Sequence, residues 1–215
     1  MTGPLPLDAA ATVWSVPEGQ RRDRPLVIVM HGRGSDENDL AAFFPDLPAT
    51  FVYASVRAPV EEGPGWSWFE PGNGNESGDP TAANADRAAD GVLDWLDGLG
   101  WQPPLIGTLG FSQGGAMSTH VLRRDPGRVR FAVNLAGFAV RGEQPTDPAL
   151  ARARPPVFWG RGAEDGLFTP ELVARSESWL TAHTSLEEQV YPGLGHLWSR
   201  EELDDVVEFL GSRAR

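Results

Sequence analysis

Two residue types that often carry enzyme chemistry are absent from this chain of 215 residues. It contains no cysteine, and all 18 of its basic side chains are arginine, so it contains no lysine. Without cysteine, disulfides, thiolate metal ligands and cysteine nucleophiles are excluded. Without lysine, Schiff-base chemistry, the lysine of a phosphate-binding loop and Ser-Lys dyads are excluded as well.

Positive charge and long apolar runs are also scarce. The net charge of −12 argues against nucleic acid or an anionic membrane as a partner, because both require a basic surface. No run of eighteen apolar residues is long enough to span a bilayer. Residues 1–11 lack the basic start and the apolar segment of a secretory signal. We therefore expect a cytoplasmic protein.

The apolar residues, 40% of the chain, are arranged in short runs that alternate with amphipathic segments. This pattern predicts one α/β domain over residues 1–215, with a mostly parallel central sheet and helices on both faces. Strands are predicted at residues 12–16 (a weak edge strand), 25–30, 50–55, 105–109, 130–135, 156–159 and 186–191. Helices are predicted at 38–46, from 80 to 99 and 115–124, after Thr169-Pro170, and after a capping box formed by Ser199 and Glu202. Residues 61–79 and 143–154 are predicted to be irregular.

A Gly-x-Ser-x-Gly motif, Gly110–Gly114, lies between a predicted strand and a predicted helix. In this context the motif is typical of a nucleophile elbow, a strained turn that exposes a serine and needs glycines to let strand and helix approach. The alternative is an ordinary glycine-rich turn with a surface serine. The rest of the chain has to decide between the two.

Asp165 and His196 also follow predicted strands, so they would lie with Ser112 at the carboxyl edge of the sheet. The order serine, acid, histidine is that of α/β-hydrolases. These observations predict Ser112 as nucleophile, His196 as general base and Asp165 as the group that orients the imidazole. Glu164, one residue earlier, is the competing acid.

The glycine-rich segment after the first buried strand, residues 31–34, is the candidate oxyanion loop. In this architecture one backbone N–H comes from that loop, here from Arg33, and the other from the residue after the nucleophile, Gln113. We expect His31 to tie the loop down by hydrogen bonds. For the Arg33 side chain the sequence leaves open a pair with Asp36 or Glu37 and a position beside the acyl site.

Aromatic residues are concentrated in the irregular segment 61–79, where binding residues often occur. Trp68 and Phe69 are predicted to wall the acyl pocket, and Trp198 is a further candidate. Bulky side chains there would shorten the pocket and favour short acyl groups.

The chain resembles the phospholipase/carboxylesterase family of α/β-hydrolases, which includes the acyl-protein thioesterases. The resemblance rests on residues 29–35, 67–69, 110–116, 162–167 and 191–196, of which Gly-Phe-Ser-Gln-Gly-Gly is the most specific. It implies a small esterase with a minimal lid, the triad Ser112, Asp165 and His196, and an oxyanion hole of the Arg33 and Gln113 amides. Gly166 and Thr169 depart from the family, whose acid loop usually has prolines there.

The resulting hypothesis is a serine carboxylesterase that hydrolyses short-to-medium acyl esters or thioesters through an acyl-enzyme, without metal or organic cofactor. An acyl-protein thioesterase or lysophospholipase is the alternative within enzymes, and a catalytically silent small-ligand-binding protein is the alternative outside them. A homodimer is compatible with the sequence, which does not determine the oligomeric state.

Overall fold

A computed structural model describes residues 3–70 and 82–213 of the chain. The strands in chain order are β1 (Val13–Trp14), β2 (Leu26–Met30), β3 (Val52–Val56), β4 (Val60–Glu62), β5 (Gly65–Ser67), β6 (Ile106–Phe111), β7 (Val129–Leu135), β8 (Pro156–Gly162) and β9 (Ser185–Tyr191). The α-helices are α1 (Ala82–Asp97), α2 (Gln113–Arg124), α3 (Asp147–Ala153), α4 (Pro170–His183) and α5 (Arg200–Arg213). Short 3₁₀ helices cover Ala9–Ala11, Glu18–Gln20 and Leu40–Asp46.

Within the described residues, seven strands form the main sheet in the order β1-β3-β2-β6-β7-β8-β9. Strand β1 is antiparallel to β3, and the remaining neighbours are parallel. The predicted, mostly parallel sheet is confirmed. Because six strands run in the same direction, the loops that follow them meet at one edge.

Both faces of the sheet are covered, and the buried strand β2 shows how. Its alternate residues Leu26 and Ile28 join an apolar cluster with helices α1 to α4. Val27, on the opposite face, joins a second cluster with α5 and the 3₁₀ helix Leu40–Asp46. A strand buried on both sides has to be continuously apolar, which explains why this strand is evident from the sequence. None of the helices in the described ranges combines the length and apolar character that a membrane crossing requires.

Two helix predictions differ from the structure. The segment predicted as a helix at 38–46 forms a 3₁₀ helix, Leu40–Asp46, that contains Pro45, whose ring and missing N–H are incompatible with a regular α-helix. The segment 143–154, predicted to be irregular, contains the short helix α3 with a proline in its first turn, a favourable position. In α1, the predicted inward residues up to Leu96 are buried, whereas Leu99 follows the end of the helix. The predicted start at Asp79-Pro80 lies outside the described residues.

The segment predicted to be irregular at 61–79 begins with a β-hairpin instead. Strands β4 and β5 pair antiparallel, with Glu62 opposite Gly65, so the turn consists of Gly63 and Pro64. Gly63 has a φ of 59°, which suits the first central position of a two-residue hairpin turn. Residues 71–79 of the predicted segment lie outside the described residues.

The predicted capping box at the start of α5 is only half formed. The Ser199 hydroxyl accepts a hydrogen bond from the Glu202 amide at 3.1 Å, as a capping residue does. The Glu202 side chain does not return the bond. It is 1% exposed, and neither carboxylate oxygen has a hydrogen-bond partner among the described residues. It lines a small apolar cavity of about 30 Å³ instead.

This burial raises the pKa of the Glu202 carboxyl from 4.5 to about 7. The folded state therefore binds the proton more tightly than the unfolded chain does. Ionisation of Glu202 leaves the free energy of unfolding unchanged below pH 4.5. It lowers that free energy as the pH rises from 4.5 through 7, because the unfolded carboxyl ionises freely in this range while the buried one resists ionisation.

We expect Glu202→Gln to increase the free energy of unfolding at pH 8 relative to its effect at pH 5, by on the order of 3 kcal/mol. The physical reason is that glutamine stays neutral at both pH values. Denaturant unfolding at the two pH values measures the difference. Glu201→Gln, at the exposed neighbouring position, should change neither value, and an equal effect of Glu202→Gln at both pH values would contradict the assignment.

Candidate active site

Ser112 lies in the turn between β6 and α2 and has a backbone conformation that L-residues rarely adopt, with φ 55° and ψ −117°. Such a conformation costs about 1–3 kcal/mol and persists only where the surroundings enforce it. Here the Ser112 N–H donates to the Leu135 carbonyl at 2.8 Å, and the Ser112 carbonyl accepts from the Ala116 N–H at 3.0 Å. Strand β7 and the first turn of α2 therefore hold the strained residue from both sides.

The flanking glycines are required by close backbone contacts. A Cβ at Gly110 would lie 2.1 Å from the Gly114 carbonyl oxygen, and a Cβ at Gly114 would lie 2.0 Å from the Met30 carbonyl oxygen. Both contacts are with backbone atoms, which cannot rotate away as a side chain can. The predicted strand, sharp turn and helix are present, with the serine at the apex.

The structure brings the three predicted residues Ser112, His196 and Asp165 together. His196 Nε2 lies 2.8 Å from the Ser112 hydroxyl, and His196 Nδ1 lies 2.7 Å from an Asp165 carboxylate oxygen. A carboxylate only accepts hydrogen bonds at neutral pH, so the proton of the neutral ring belongs on Nδ1 and Nε2 is left to accept from the serine. This arrangement can remove the hydroxyl proton when the serine attacks.

Asp165, and not Glu164, reaches the histidine. The Asp165 side chain is 2% exposed, and its second oxygen accepts from the Leu167 N–H at 3.0 Å. Glu164 is exposed, and its amide binds the Leu194 carbonyl of the loop that carries His196. The tight turn after β8 thus points the second of the two adjacent carboxylates inward.

The loop from His31 to Ser35 passes directly beside the serine. A Cβ at Gly32 would lie 3.6 Å from the Ser112 Cβ, so the loop at Gly32 lies against Ser112. Within residues 3–70 and 82–213, the N–H groups of Arg33 and Gln113 have no backbone acceptor. Both amides predicted to form the oxyanion hole therefore remain available as donors near the serine.

His31 anchors this loop, as the sequence suggested. The ring is fully buried, with Nδ1 2.7 Å from the Gly32 carbonyl, and Nε2 accepts from the Ala58 N–H at 3.1 Å. Burial lowers the pKa of His31, which favours the neutral ring with its proton on Nδ1. His31 thus connects the loop to the end of β3.

The Arg33 side chain binds Glu62, a partner that the sequence did not suggest. Arg33 Nε lies 2.8 and 2.9 Å from the two Glu62 oxygens, and Glu62 also accepts from the Ser67 hydroxyl. These hydrogen bonds, above all those from Arg33, lower the pKa of the Glu62 carboxyl. Glu37, one of the predicted partners, binds Arg57 instead.

An open cleft of about 610 Å³ lies in front of Ser112. Its walls include Phe111, Phe138 and Leu167, and Arg33 and Glu62 line it as well. Phe138 and Leu167 lie in the loops that follow strands β7 and β8, and no motif in the sequence marked either side chain as a wall of the cleft. A larger groove, about 810 Å³, lies at the opposite end of β6, and none of the predicted site residues lines it.

The prediction that Trp68 and Phe69 wall the acyl pocket is wrong. Their exposed fractions are 0% and 1%, and neither lines the cleft. Both follow β5 directly, and their side chains belong to the same apolar cluster as Leu26 and Ile28. Trp198 does not line the cleft either, and its ring packs against Phe43 with the centroids 4.0 Å apart.

Among the described residues, no group of three or more His, Asp or Glu side chains is arranged to hold a metal ion.

The strand order, the helices on both faces and the serine at the β6–α2 turn together define an α/β-hydrolase fold. The model of the family described as Phospholipase/Carboxylesterase matches residues 11–213, and the chain belongs to this family. Family membership makes the chain a hydrolase with esterase function.

Similar proteins include a "Probable carboxylesterase" of Oryza sativa subsp. japonica, 28% identical over 224 residues, which cover 96% of this chain and 81% of the relative. Acyl-protein thioesterase 1 of Saccharomyces cerevisiae is 24% identical over 219 residues, covering 87% and 92% of the two chains. The crystal structure of a Bacillus cereus carboxylesterase superposes with a TM-score of 0.76 over 95% of this chain and 94% of that chain, at 18% identity. This last similarity concerns the fold alone.

Proposed function

We propose that the protein is a serine carboxylesterase that hydrolyses small acyl esters or thioesters through a covalent acyl-enzyme. The observation that carries the proposal is the continuous hydrogen-bonded chain from Ser112 through His196 to Asp165. A serine hydroxyl is a weak nucleophile on its own and needs an adjacent base, which is in turn oriented by a third group.

In the proposed reaction, Ser112 Oγ attacks the acyl carbonyl carbon while its proton passes to His196 Nε2. Asp165 stabilises the imidazolium, and the amides of Arg33 and Gln113 donate to the carbonyl oxygen as it becomes negative. The carbon–oxygen or carbon–sulfur bond to the leaving group then breaks, and that group takes the proton from His196. Water attacks the acyl-enzyme with His196 as base, which releases the acid and regenerates Ser112.

The cleft favours a short acyl group. Three apolar side chains wall it near the serine, Phe111, Phe138 and Leu167, and the Arg33–Glu62 ion pair contributes polar surface. Each methylene that is buried gains about 0.8 kcal/mol, and methylenes that extend into water gain nothing. Chain length beyond the apolar walls should therefore add little to transition-state binding.

An acyl-protein thioesterase is the second candidate. Leu167 lines the cleft together with His196, and Leu197 follows His196 in the chain; the two side chains are 51% and 66% exposed. They would allow a longer acyl chain to lie along the surface. The yeast relative named above carries that activity in its name. A substrate series that includes a palmitoyl thioester distinguishes the two candidates.

Replacing the nucleophile tests the proposed function directly. We expect Ser112→Ala to lower kcat/KM for a short ester by about three orders of magnitude or more, because only the amide donors and substrate binding remain. The variant should also lose labelling by a fluorophosphonate. Ser178→Ala, at an exposed position of α4, should keep both. Labelling of a folded Ser112→Ala protein would refute the assignment, and a wild type that neither labels nor hydrolyses would indicate a binding protein.

The two adjacent carboxylates provide a matched pair. Asp165→Asn should reduce kcat by about 10³- to 10⁴-fold, because an amide no longer selects the ring tautomer or stabilises the imidazolium. Glu164→Gln should stay within about threefold of the wild type, since its side chain is exposed. Steady-state kinetics at fixed pH measure both. If Glu164→Gln proved the more damaging change, the choice of acid would have to be reversed.

Acyl preference is measured with p-nitrophenyl esters from acetyl to palmitoyl, together with palmitoyl thioester. We expect kcat/KM to be highest between acetyl and about hexanoyl, because methylenes beyond the apolar walls of the cleft extend into water and gain nothing. Phe138→Ala should move the optimum toward longer chains by enlarging the cleft, whereas Val190→Ala, at an exposed position of β9 outside the cleft, should not. A preference for the palmitoyl thioester would favour the second candidate.

A further inference from the structure

We propose that the segment Gly65–Phe69, called the strap here, positions both amide donors of the oxyanion hole, and that the Gln113 side chain is the positioning residue that locks it to the nucleophile elbow. This inference rests on the proposed function, because an oxyanion hole has a role only in that reaction. Gln113 would then act twice, through its backbone N–H as a donor and through its side chain as a clamp.

One side of the strap is bonded to the loop that contains Arg33. The Gly34 N–H donates to the Trp66 carbonyl, and the Trp66 N–H donates to the Ser35 carbonyl, both at 2.8 Å. Two residues further on, the Trp68 indole N–H donates to the His31 carbonyl at 2.9 Å. The bonds attach to the loop on both sides of Arg33, so the strap fixes the backbone that presents the Arg33 amide.

The other side of the strap is bonded to the elbow through one side chain. The Gln113 Oε1 accepts from the Trp68 N–H at 2.9 Å, and the Gln113 Nε2 donates to the Phe69 carbonyl at 3.0 Å. Gln113 is 4% exposed and Trp68 is fully buried. Breaking these bonds would leave buried backbone groups without partners away from water, which is unfavourable. The clamp is therefore rigid.

The strap also leaves no space against the loop. A Cβ at Gly65 would lie 2.1 Å from the Gly34 carbonyl oxygen, so only glycine permits this approach. At the same end of the strap, the Ser67 hydroxyl binds Glu62, which holds the Arg33 side chain. Backbone contact and side-chain bonds thus restrict the same few residues.

Rigidity of this kind matters because oxyanion donors act by being in place before the charge develops. Removing one such donor costs about 10²–10³ in kcat in a serine hydrolase, and supporting residues hold such groups to within about half an ångström. The strap joins the Arg33 loop and the Gln113 turn into one body. Loosening it should therefore weaken binding of the transition state more than binding of the substrate.

The test uses Gln113→Met, which keeps the length of the side chain and removes both hydrogen bonds while the Gln113 amide remains in the backbone. We expect kcat to fall about ten- to hundredfold with KM within about threefold. The affinity for a trifluoromethyl ketone should weaken by the same factor as kcat/KM, because Ser112 adds to this ketone to give an oxyanion in the same hole. The matched control is Gln144→Met. Gln144 is also buried and bonds through its side chain to Asp86 and Arg124, and its replacement should lower stability without changing kcat.

Trp68→Phe is the second variant. It removes the indole hydrogen bond to the His31 carbonyl, which belongs to the loop that presents the Arg33 amide. It should show the same fall in kcat and in inhibitor affinity if the strap positions both amides. An unchanged kcat in either folded variant, or a loss in Gln144→Met as large as that in Gln113→Met, would overturn the proposal. Failure of the proposed function is distinguishable, because the wild type itself would then resist fluorophosphonate labelling.

Discussion

The strained turn at Ser112 is the constraint on which the rest of the site depends. A serine with φ 55° is stable only because β7 accepts its N–H and because Gly110 and Gly114 let β6, β2 and α2 approach to backbone contact. The same turn points the side chain out of the sheet and leaves the first N–H groups of α2 unsatisfied. Strain, exposure of the hydroxyl and an amide donor therefore come from one local geometry.

The parallel sheet brings the other groups to this turn. Strands β2, β6, β8 and β9 end at the same edge, so the Arg33 loop, Ser112, Asp165 and His196 converge although they are separated by up to 163 positions, the difference between 196 and 33. The strap, which begins with β5 of the β4–β5 hairpin, is hydrogen-bonded to the first two of these, the Arg33 loop and the Ser112 turn. The site thus combines groups held at one edge of the sheet with a segment that is hydrogen-bonded to two of them.

The parts of this structure that were evident from the sequence share a local physical cause. Strand β2 was evident because burial on both faces demands a continuous apolar run, and the elbow because its turn demands glycine at fixed positions. The cap of α4 at Thr169 was evident because side-chain capping is a local hydrogen bond. The choice of Asp165 over Glu164 followed from its position after β8 together with the family resemblance.

Only the tertiary structure decided the orientation of side chains in segments without a clear period. The sequence indicated that Trp68 lies in an aromatic-rich segment before the elbow and that Glu202 belongs to the cap of the last helix. It did not indicate that Trp68 points into the core, or that the Glu202 carboxylate is buried with no hydrogen-bond partner among the described residues. It also did not determine that Arg33 binds Glu62, 29 positions away. Each of these outcomes depends on which surfaces meet when the hairpin and α5 pack against the sheet. Such contacts are long-range, whereas the signals that a sequence carries openly, periodicity, turns and caps, are local.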